Sequence, residues 1–395
     1  DGDLAFIKDL GVVNKPTTRQ SLENDPETKV KNSFSHQHQQ QQMQECTDFK
    51  NVEINGEFGR VNALFDPYYL EPNSSSYPPI YNPDQTVDSC VYTVTGTNYQ
   101  TVSYSPSPFN TYPPILKDGL NRIDCDQTYT DKVGDLMSHT YDGPDNPDIS
   151  SNLINSSFVQ IYRNNSESQQ KLNDNVQELD QELNDIFNGF LNSPDIESED
   201  IDSLPFYISV FKNVAKIIQS RSTLGQRRQM IFVGVGSWDH HASLRPKIDG
   251  YLTSLNAGIA AFVEFLKHPD VNLFDNVVIN HSSDFSRTLR SNSNSGTDHS
   301  WAMHGYVIGG SVNGRAFYPT GYECNYDLSG PKADGSSSGR YIPEVSSDQL
   351  YAKILNWFGV PEAQLGLVLP GLKYHVQSNN LNFIFPSGNY TLNFI

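Results

Sequence analysis

Between residues 172 and 310 the hydrophobic pattern switches repeatedly between two periods, and this constrains the fold more than any other feature. Leu172, Val176, Leu179, Leu183, Ile186, Phe187 and Phe190 recur at the spacing of one helix face, with acidic residues and Asn on the other. After the acidic linker PDIESEDIDS, a second stripe runs through Tyr207, Val210, Phe211, Val214, Ile217 and Ile218. Residues 229–236 (QMIFVGVG) then form a short continuous apolar run, as expected of a strand buried on both faces. A third stripe, Ile248, Leu252, Leu255, Ile259, Phe262, Val263 and Leu266, precedes two more short apolar runs, 276–280 and 306–310. Helix alternating with strand predicts an α/β fold with a mostly parallel sheet and helices on both faces.

The flanks divide the chain further. Residues 1–65 supply the first part of the core, opening with a buried strand over 4–13 (LAFIKDLGVV). The Gln run in FSHQHQQQQMQ, 34–44, reads as a solvated polar stretch, although the leading Phe-Ser-His argues against disorder. Residues 66–170 are a Tyr/Pro/Asn-rich insertion in which VDSCVYTVTGTNYQTVSY alternates like a β-hairpin. The main core, 171–361, closes on a helix over 347–358 that starts at Ser-Asp and stops at Gly359. The tail, 362–395, carries LNFI twice about a Pro-Ser-Gly turn and predicts a hairpin.

A formal charge of −19, spread along the chain, excludes nucleic acid and anionic membrane surfaces as partners, since both need a basic face. No apolar run approaches the ~20 residues that span a bilayer. The opening DGDLAFIKDL is charged, strand-like and without Met, as in a processed or partial chain. Cys46, Cys90, Cys125 and Cys324 are compatible with two disulfides in any of three pairings, and their spacing excludes a CxxC-type zinc site. Sequons at Asn73, Asn155, Asn164, Asn280 and Asn389 favour an extracellular or cell-surface protein.

Chemistry concentrates after the strands, where ligand sites of α/β sheets lie. Ser237-Trp238-Asp239-His240-His241 follows the strand at 229–236. Asp284 and Arg287 follow the strand at 276–280, and the Ser/Asn/Gly loop beyond them adds Asp298, His299 and His304. A lone Asp-His pair in a polar loop is ordinarily a turn. Placed at the ends of successive strands, carboxylates with imidazoles point to zinc, manganese or iron. In an extended segment His240 and His241 face opposite ways, which leaves Asp239 and His241 on one side. Arg287 reads either as an ion-pair partner for a nearby carboxylate or as a clamp for phosphate or sulfate.

In order, FSHQHQQQQMQ, LGQRRQMIFVGVGSWDHH, VVINHSSDFSRTLRSNSNSGTDHSWAMHGYVIGGSVNGRAFY and LNWFGVPEAQLGLVLPGL resemble the family numbered 1501 among the domains of unknown function, identified as a branch of the alkaline phosphatase/sulfatase superfamily. The resemblance is strong over 201–384, fair over 1–65 and nearly absent over 66–170. It implies a phosphatase/sulfatase-like sheet, a divalent metal held by Asp239, His241, Asp284 and His299, and catalytic roles for Arg287 and Asp298 in phosphate or sulfate ester hydrolysis. The family's first strand and its Gly/Asp loop would lie ahead of residue 1, so a second chain is one expected source of that strand. The chain departs from the family pattern at Ser286 and at Ala302-Met303, where the family has glycines. The competing expectation is an extracellular glycoprotein that reuses the fold without catalysis, binds glycans through its Tyr-rich loops, or polymerises by strand addition.

Overall fold

The computed structural model describes residues 2–46, 48–50, 56–65, 90–95, 176–191, 204–377 and 381–395. The predicted insertion, apart from 90–95, lies outside them, as do Asn73, Asn155, Asn164 and Cys125.

The elements in chain order are β1 (Leu4–Gly11), α1 (Arg19–Asn24), α2 (His36–Glu45), α3 (Glu57–Phe65), β2 (Cys90–Thr95), α4 (Gln181–Leu191), α5 (Leu204–Gln219), β3 (Gln229–Val233), α6 (Arg245–Lys267), β4 (Ile279–His281), β5 (Met303–Ile308), β6 (Ala316–Tyr318), β7 (Val345–Ser346), α7 (Ser347–Phe358) and α8 (Leu365–Val368).

The fold is α/β with helices on both sides of the sheet, but the sheet is mixed rather than mostly parallel. Its order is β4-β5-β1-β6, with β7 also on β1. β5 runs antiparallel to both β1 and β4, while β6 and β7 run parallel to β1. β3 pairs instead with β2, in parallel, as a separate two-stranded sheet. The helix–strand alternation is real, but 282–302 returns the chain as a loop instead of a crossover helix. β4 and β5 are therefore antiparallel neighbours.

Burial along β1 alternates. Ala5 and Ile7 are fully buried, whereas Leu4 and Phe6 are partly open and Phe6 stacks on Phe317 of β6. The inner face joins Met303, Val307, Tyr318, Leu350 and Leu355 in one core. On the opposite side Ile279 and Ile308 pack against a second core formed by α4, α5 and α6. The predicted stripe of α5 is buried at every position. That of α6 is shifted. Its buried face is Gly250, Ser254, Ala257, Gly258, Ala261, Phe262, Phe265 and Leu266, so Phe262 and Leu266 of the stripe are buried as expected, whereas Leu252 is exposed. Small residues let α5 approach closely, since a Cβ on Gly258 would lie 2.9 Å from the Phe211 ring.

Local signals account for the helix ends. Ser346 and Gln349 form a reciprocal capping box at the start of α7, and Gly359 ends it at φ 113°, where a glycine is favoured. The Gln run is not a solvated stretch but α2, and Gln39 is fully buried. In the tail the two LNFI segments do not pair as a hairpin. Thr391 bridges to Thr320 and the Phe394 carbonyl accepts from the Asn313 amide, whereas Phe383 of the first segment bridges to Val376 within the tail. Cys46 and Cys324 are free thiols, so the two-disulfide arrangement does not hold. Asn280 lies inside β4 with its side-chain oxygen buried, which does not suit a glycan acceptor, whereas Asn389 is exposed. Among the described residues no helix is long and apolar enough to cross a membrane.

His375 is 2% exposed and donates from Nε2 to the Val13 carbonyl at 3.2 Å. Burial pushes its pKa down to about 4. Between that value and the ordinary one near 6.5 the unfolded chain binds a proton that the folded chain refuses, so this residue lowers stability on acidification. Relative to His375→Gln, the native chain should lose about 1.4 kcal/mol per pH unit from pH 6.5 to 4. Urea unfolding at several pH values measures the difference, and parallel pH curves for the two proteins would refute it.

Candidate metal centre

Strand direction brings the polar segments to one end of the sheet. Leu10, near the carboxyl end of β1, pairs with Met303, the first residue of β5. His281, the last residue of β4, pairs with Tyr306 of β5. The segments after β1 and β4 and before β5 thus emerge together, and residue 239 arrives from the end of β3. α2 contributes its first residue, His36.

The loop 282–302 is pinned on three sides. It folds back on itself through a bridge between Arg287 and His299 and hydrogen bonds between Thr288 and Asp298. Its outer arm zips onto the segment after β3, where the Thr297, Ser243 and Leu244 amides donate to the His240, Asn294 and Ser295 carbonyls. Gly296 makes this possible, because a Cβ there would lie 2.2 Å from the His241 carbonyl carbon. At its base Trp301, 3% exposed, donates its indole N–H to the Val12 carbonyl at 2.7 Å. Ser286, Ala302 and Met303 are built into this frame. The Ser286 carbonyl accepts from the Ser300 amide, the Ala302 amide donates to the Tyr341 carbonyl, and Met303 sulfur accepts the Ser283 amide.

Within the frame, Asp239, His241, Asp284, Arg287, Asp298 and His299 come together, and so does His36. The Asp239 carboxylate is the hub. His36 Nε2 lies 3.2 Å from Oδ2, while His241 Nε2 and His299 Nε2 lie 3.1 and 3.2 Å from Oδ1. The last two nitrogens are 3.0 Å apart.

The far nitrogen of each ring has an acceptor. His36 Nδ1 is 2.6 Å from Asp284 Oδ2, His241 Nδ1 is 3.3 Å from Asp298 Oδ1, and His299 Nδ1 is 2.7 Å from the Phe34 carbonyl. An imidazole whose Nδ1–H is so engaged is the tautomer with an unprotonated Nε2. In the neutral rings these partners leave three Nε2 lone pairs turned to the same carboxylate. His36 Nε2 is buried and has no hydrogen-bond partner despite its proximity to Asp239.

In that state the lone pairs and the carboxylate repel one another across the contacts of 3.0–3.2 Å, and a cation among them would relieve the repulsion that Arg287 offsets only in part. The donor set fits a divalent transition metal. One donor atom from each of His36, Asp239 and His299 lies within 4.8 Å of the others, and His241 Nε2 stands 3.1 Å from Asp239 Oδ1 and 3.0 Å from His299 Nε2. His36, Asp239, His241 and His299 would be the ligands.

Asp284 falls outside that inner set. Oδ2 takes His36 and, at 3.3 Å, Gln40 Nε2, while Oδ1 takes the Ser283 hydroxyl and the Phe285 amide. Its role is to orient His36, as outer carboxylates do around ligating histidines. Asp298 does the same for His241 and is itself held by Asn292 at 3.0 Å. That amide, with His241, keeps the Asp298 carboxyl below the usual carboxylate range.

Arg287 makes an ion pair instead of standing open as an anion clamp. Nη1 binds Asp239 Oδ1, Nε binds the Thr297 hydroxyl at 3.1 Å, and Nη2 binds the Thr297 carbonyl. Burial opposes the charge on Asp239, but the Arg287 guanidinium beside it helps hold that carboxyl below its usual range. Phe285 packs against His36 and His299 at ring separations of 4.6 and 4.5 Å. His240 turns away into the α6 side, 7% exposed and against Tyr251, where burial pushes its pKa down. His304 lies away from the centre.

Sequence reasoning missed His36, whose one local signal is the Phe-Ser-His that breaks the Gln run. Only the tertiary fold brings a residue 248 positions from Asp284 into contact.

A family model described as "Protein of unknown function (DUF1501)" matches residues 136–328, which include Asp239, His241, Asp284, Asp298 and His299 but not His36. No curated protein and no solved structure matches the chain.

Gly296→Ala should separate the two loop arms and destabilise the fold by about 1–3 kcal/mol, the usual range for overpacking. It should also weaken metal uptake. Calorimetric unfolding with a metal titration checks this, and unchanged stability and uptake would refute the packing argument.

Proposed function

We propose that the chain is a metal-dependent hydrolase of phosphate or sulfate esters, with the centre built on Asp239, His36, His241 and His299. The observation that carries the reading is the convergence of three imidazole Nε2 atoms, one of them orphaned, on a single carboxylate. The resemblance to the phosphatase/sulfatase superfamily supplies the ester class. Side-chain exposures of 39% for Asp239 and 48% for His241 leave one face open to solvent, as a reaction centre needs and a closed structural site does not.

A bound zinc, manganese or iron ion would polarise an ester oxygen and acidify a water. The protein's own residues do the rest. Asp284, Asp298 and the Phe34 carbonyl fix the imidazole tautomers. Arg287 holds the hub carboxylate in position and balances part of its charge. Phe285 walls one side against water. An extracellular or cell-surface setting is proposed on the sequons, of which Asn389 is an exposed example.

Elemental analysis of the purified chain, followed by assay against aryl phosphate and aryl sulfate esters, tests the proposal. The native protein should retain one or two equivalents of transition metal, and Asp239→Ala with His241→Ala should lose the equivalent held at this centre. Asp284→Asn should bind about 10–100-fold more weakly, as expected of an outer-shell change. Metal-free native protein that rejects added zinc and manganese would sink the metal reading. Metal without ester turnover would remove the hydrolase and favour the assembly protein.

A further inference from the structure

On β1 a buried polar cluster sits away from the centre described above. The strand bulges between Ile7 and Leu10, where its register against β5 shifts. Asp9 occupies the bulge at φ 47°, in the left-handed region that disfavours a non-glycine residue, and is 2% exposed. Its carboxylate is thereby brought beside His304 of β5 and Cys324 of the loop after β6. One donor atom from each of the three lies within 4.8 Å of the others.

We propose that Asp9, His304 and Cys324 form a second metal site, suited to zinc. Thiolate, imidazole and carboxylate are all zinc donors, and thiolate disfavours the hard cations magnesium and calcium. Three protein ligands leave a fourth position open. The exposed edge of His304 and the half-buried Cys324 provide a route from solvent.

The surrounding hydrogen bonds prepare each donor. His304 Nε2 donates to the Tyr326 hydroxyl at 2.5 Å, which leaves the lone pair on Nδ1 as the ligand, and the ion would replace its 3.3 Å contact with the Asp9 amide. Tyr326 in turn hydrogen-bonds the Cys324 sulfur in the sense that favours thiolate. Tyr322 donates its hydroxyl to Asp9 Oδ2. Each inner donor therefore has an outer partner of the kind found around metal ligands. Burial and the Asp9 charge push the Cys324 thiol up, so the metal-free sulfur carries its proton. A divalent ion binding here displaces that proton to solvent and forms the metal–sulfur bond. Asp9 and Cys324 then contribute two negative charges against its two positive ones.

The proposal stands independently of the first centre, which contains no cysteine, and cobalt(II) separates the two. The full-length native chain titrated with cobalt(II) should develop a near-ultraviolet thiolate-to-metal charge-transfer band. Cys324→Ser should abolish the band, and His304→Ala should weaken the affinity read from it by about tenfold or more. Tyr326→Phe should keep the band at reduced affinity. The band should persist in the Asp239→Ala, His241→Ala protein. Absence of the band from the native protein would overturn the proposal whatever the variants do. A band that survives Cys324→Ser would overturn it too, by placing the thiolate elsewhere.

Discussion

Three imidazole nitrogens facing one carboxylate is an arrangement that a protein must hold in place, because neutral lone pairs and an anion do not gather unaided. Much of the geometry at the carboxyl end of β1 serves to hold it. Asp284 turns His36, Asp298 turns His241, and the Phe34 carbonyl turns His299. Arg287 braces Asp239 from the loop side. These contacts draw residues from α2, from the segment after β3 and from both arms of the 282–302 loop. The centre therefore exists only in the complete fold.

The packing beneath explains how such a polar assembly is tolerated. β1 is hydrogen-bonded on both edges, and its inner face is fully buried at Ala5 and Ile7. The second core, of α4, α5 and α6, reaches the sheet through Ile279 and Ile308, so β4 and β5 are gripped from both sides. The loop joining them can then be long and polar without loosening its ends. Trp301 and Gly296 carry the two tightest constraints on that loop, one by filling the space near β1 and the other by leaving space beside His241.

Much of this was legible in the residues. Helical stripes placed α5 and, through the later half of the first stripe, α4, although Val176 and Leu179 precede that helix. The Ser-Asp start and Gly359 stop placed α7, whose N-cap is Ser346. Asp239, His241, Asp298 and His299 were identifiable because they cluster after short apolar runs. Strand direction was not legible, since periodicity reports burial and carries no information on pairing partners. β5 therefore reads as one more parallel strand, although it is antiparallel. The close face of α6 was hidden for a related reason, because Gly250, Ala257 and Gly258 do not register as hydrophobic. The distinction between a ligand and the residue that orients it was also out of reach. Asp284 and Asp239 look alike in sequence, and only the 2.6 Å contact to His36 separates them. Asp9 was hidden for a further reason, since a bulge in a central strand leaves no compositional trace.

Long-range proton–nitrogen NMR of the imidazoles in the metal-free protein near neutral pH tests the central claim most directly. His36, His241 and His299 should each appear as the neutral tautomer protonated at Nδ1, and zinc should perturb all three Nε2 resonances together. Protonation at Nε2 in these residues, or Nε2 resonances indifferent to zinc, would contradict the account.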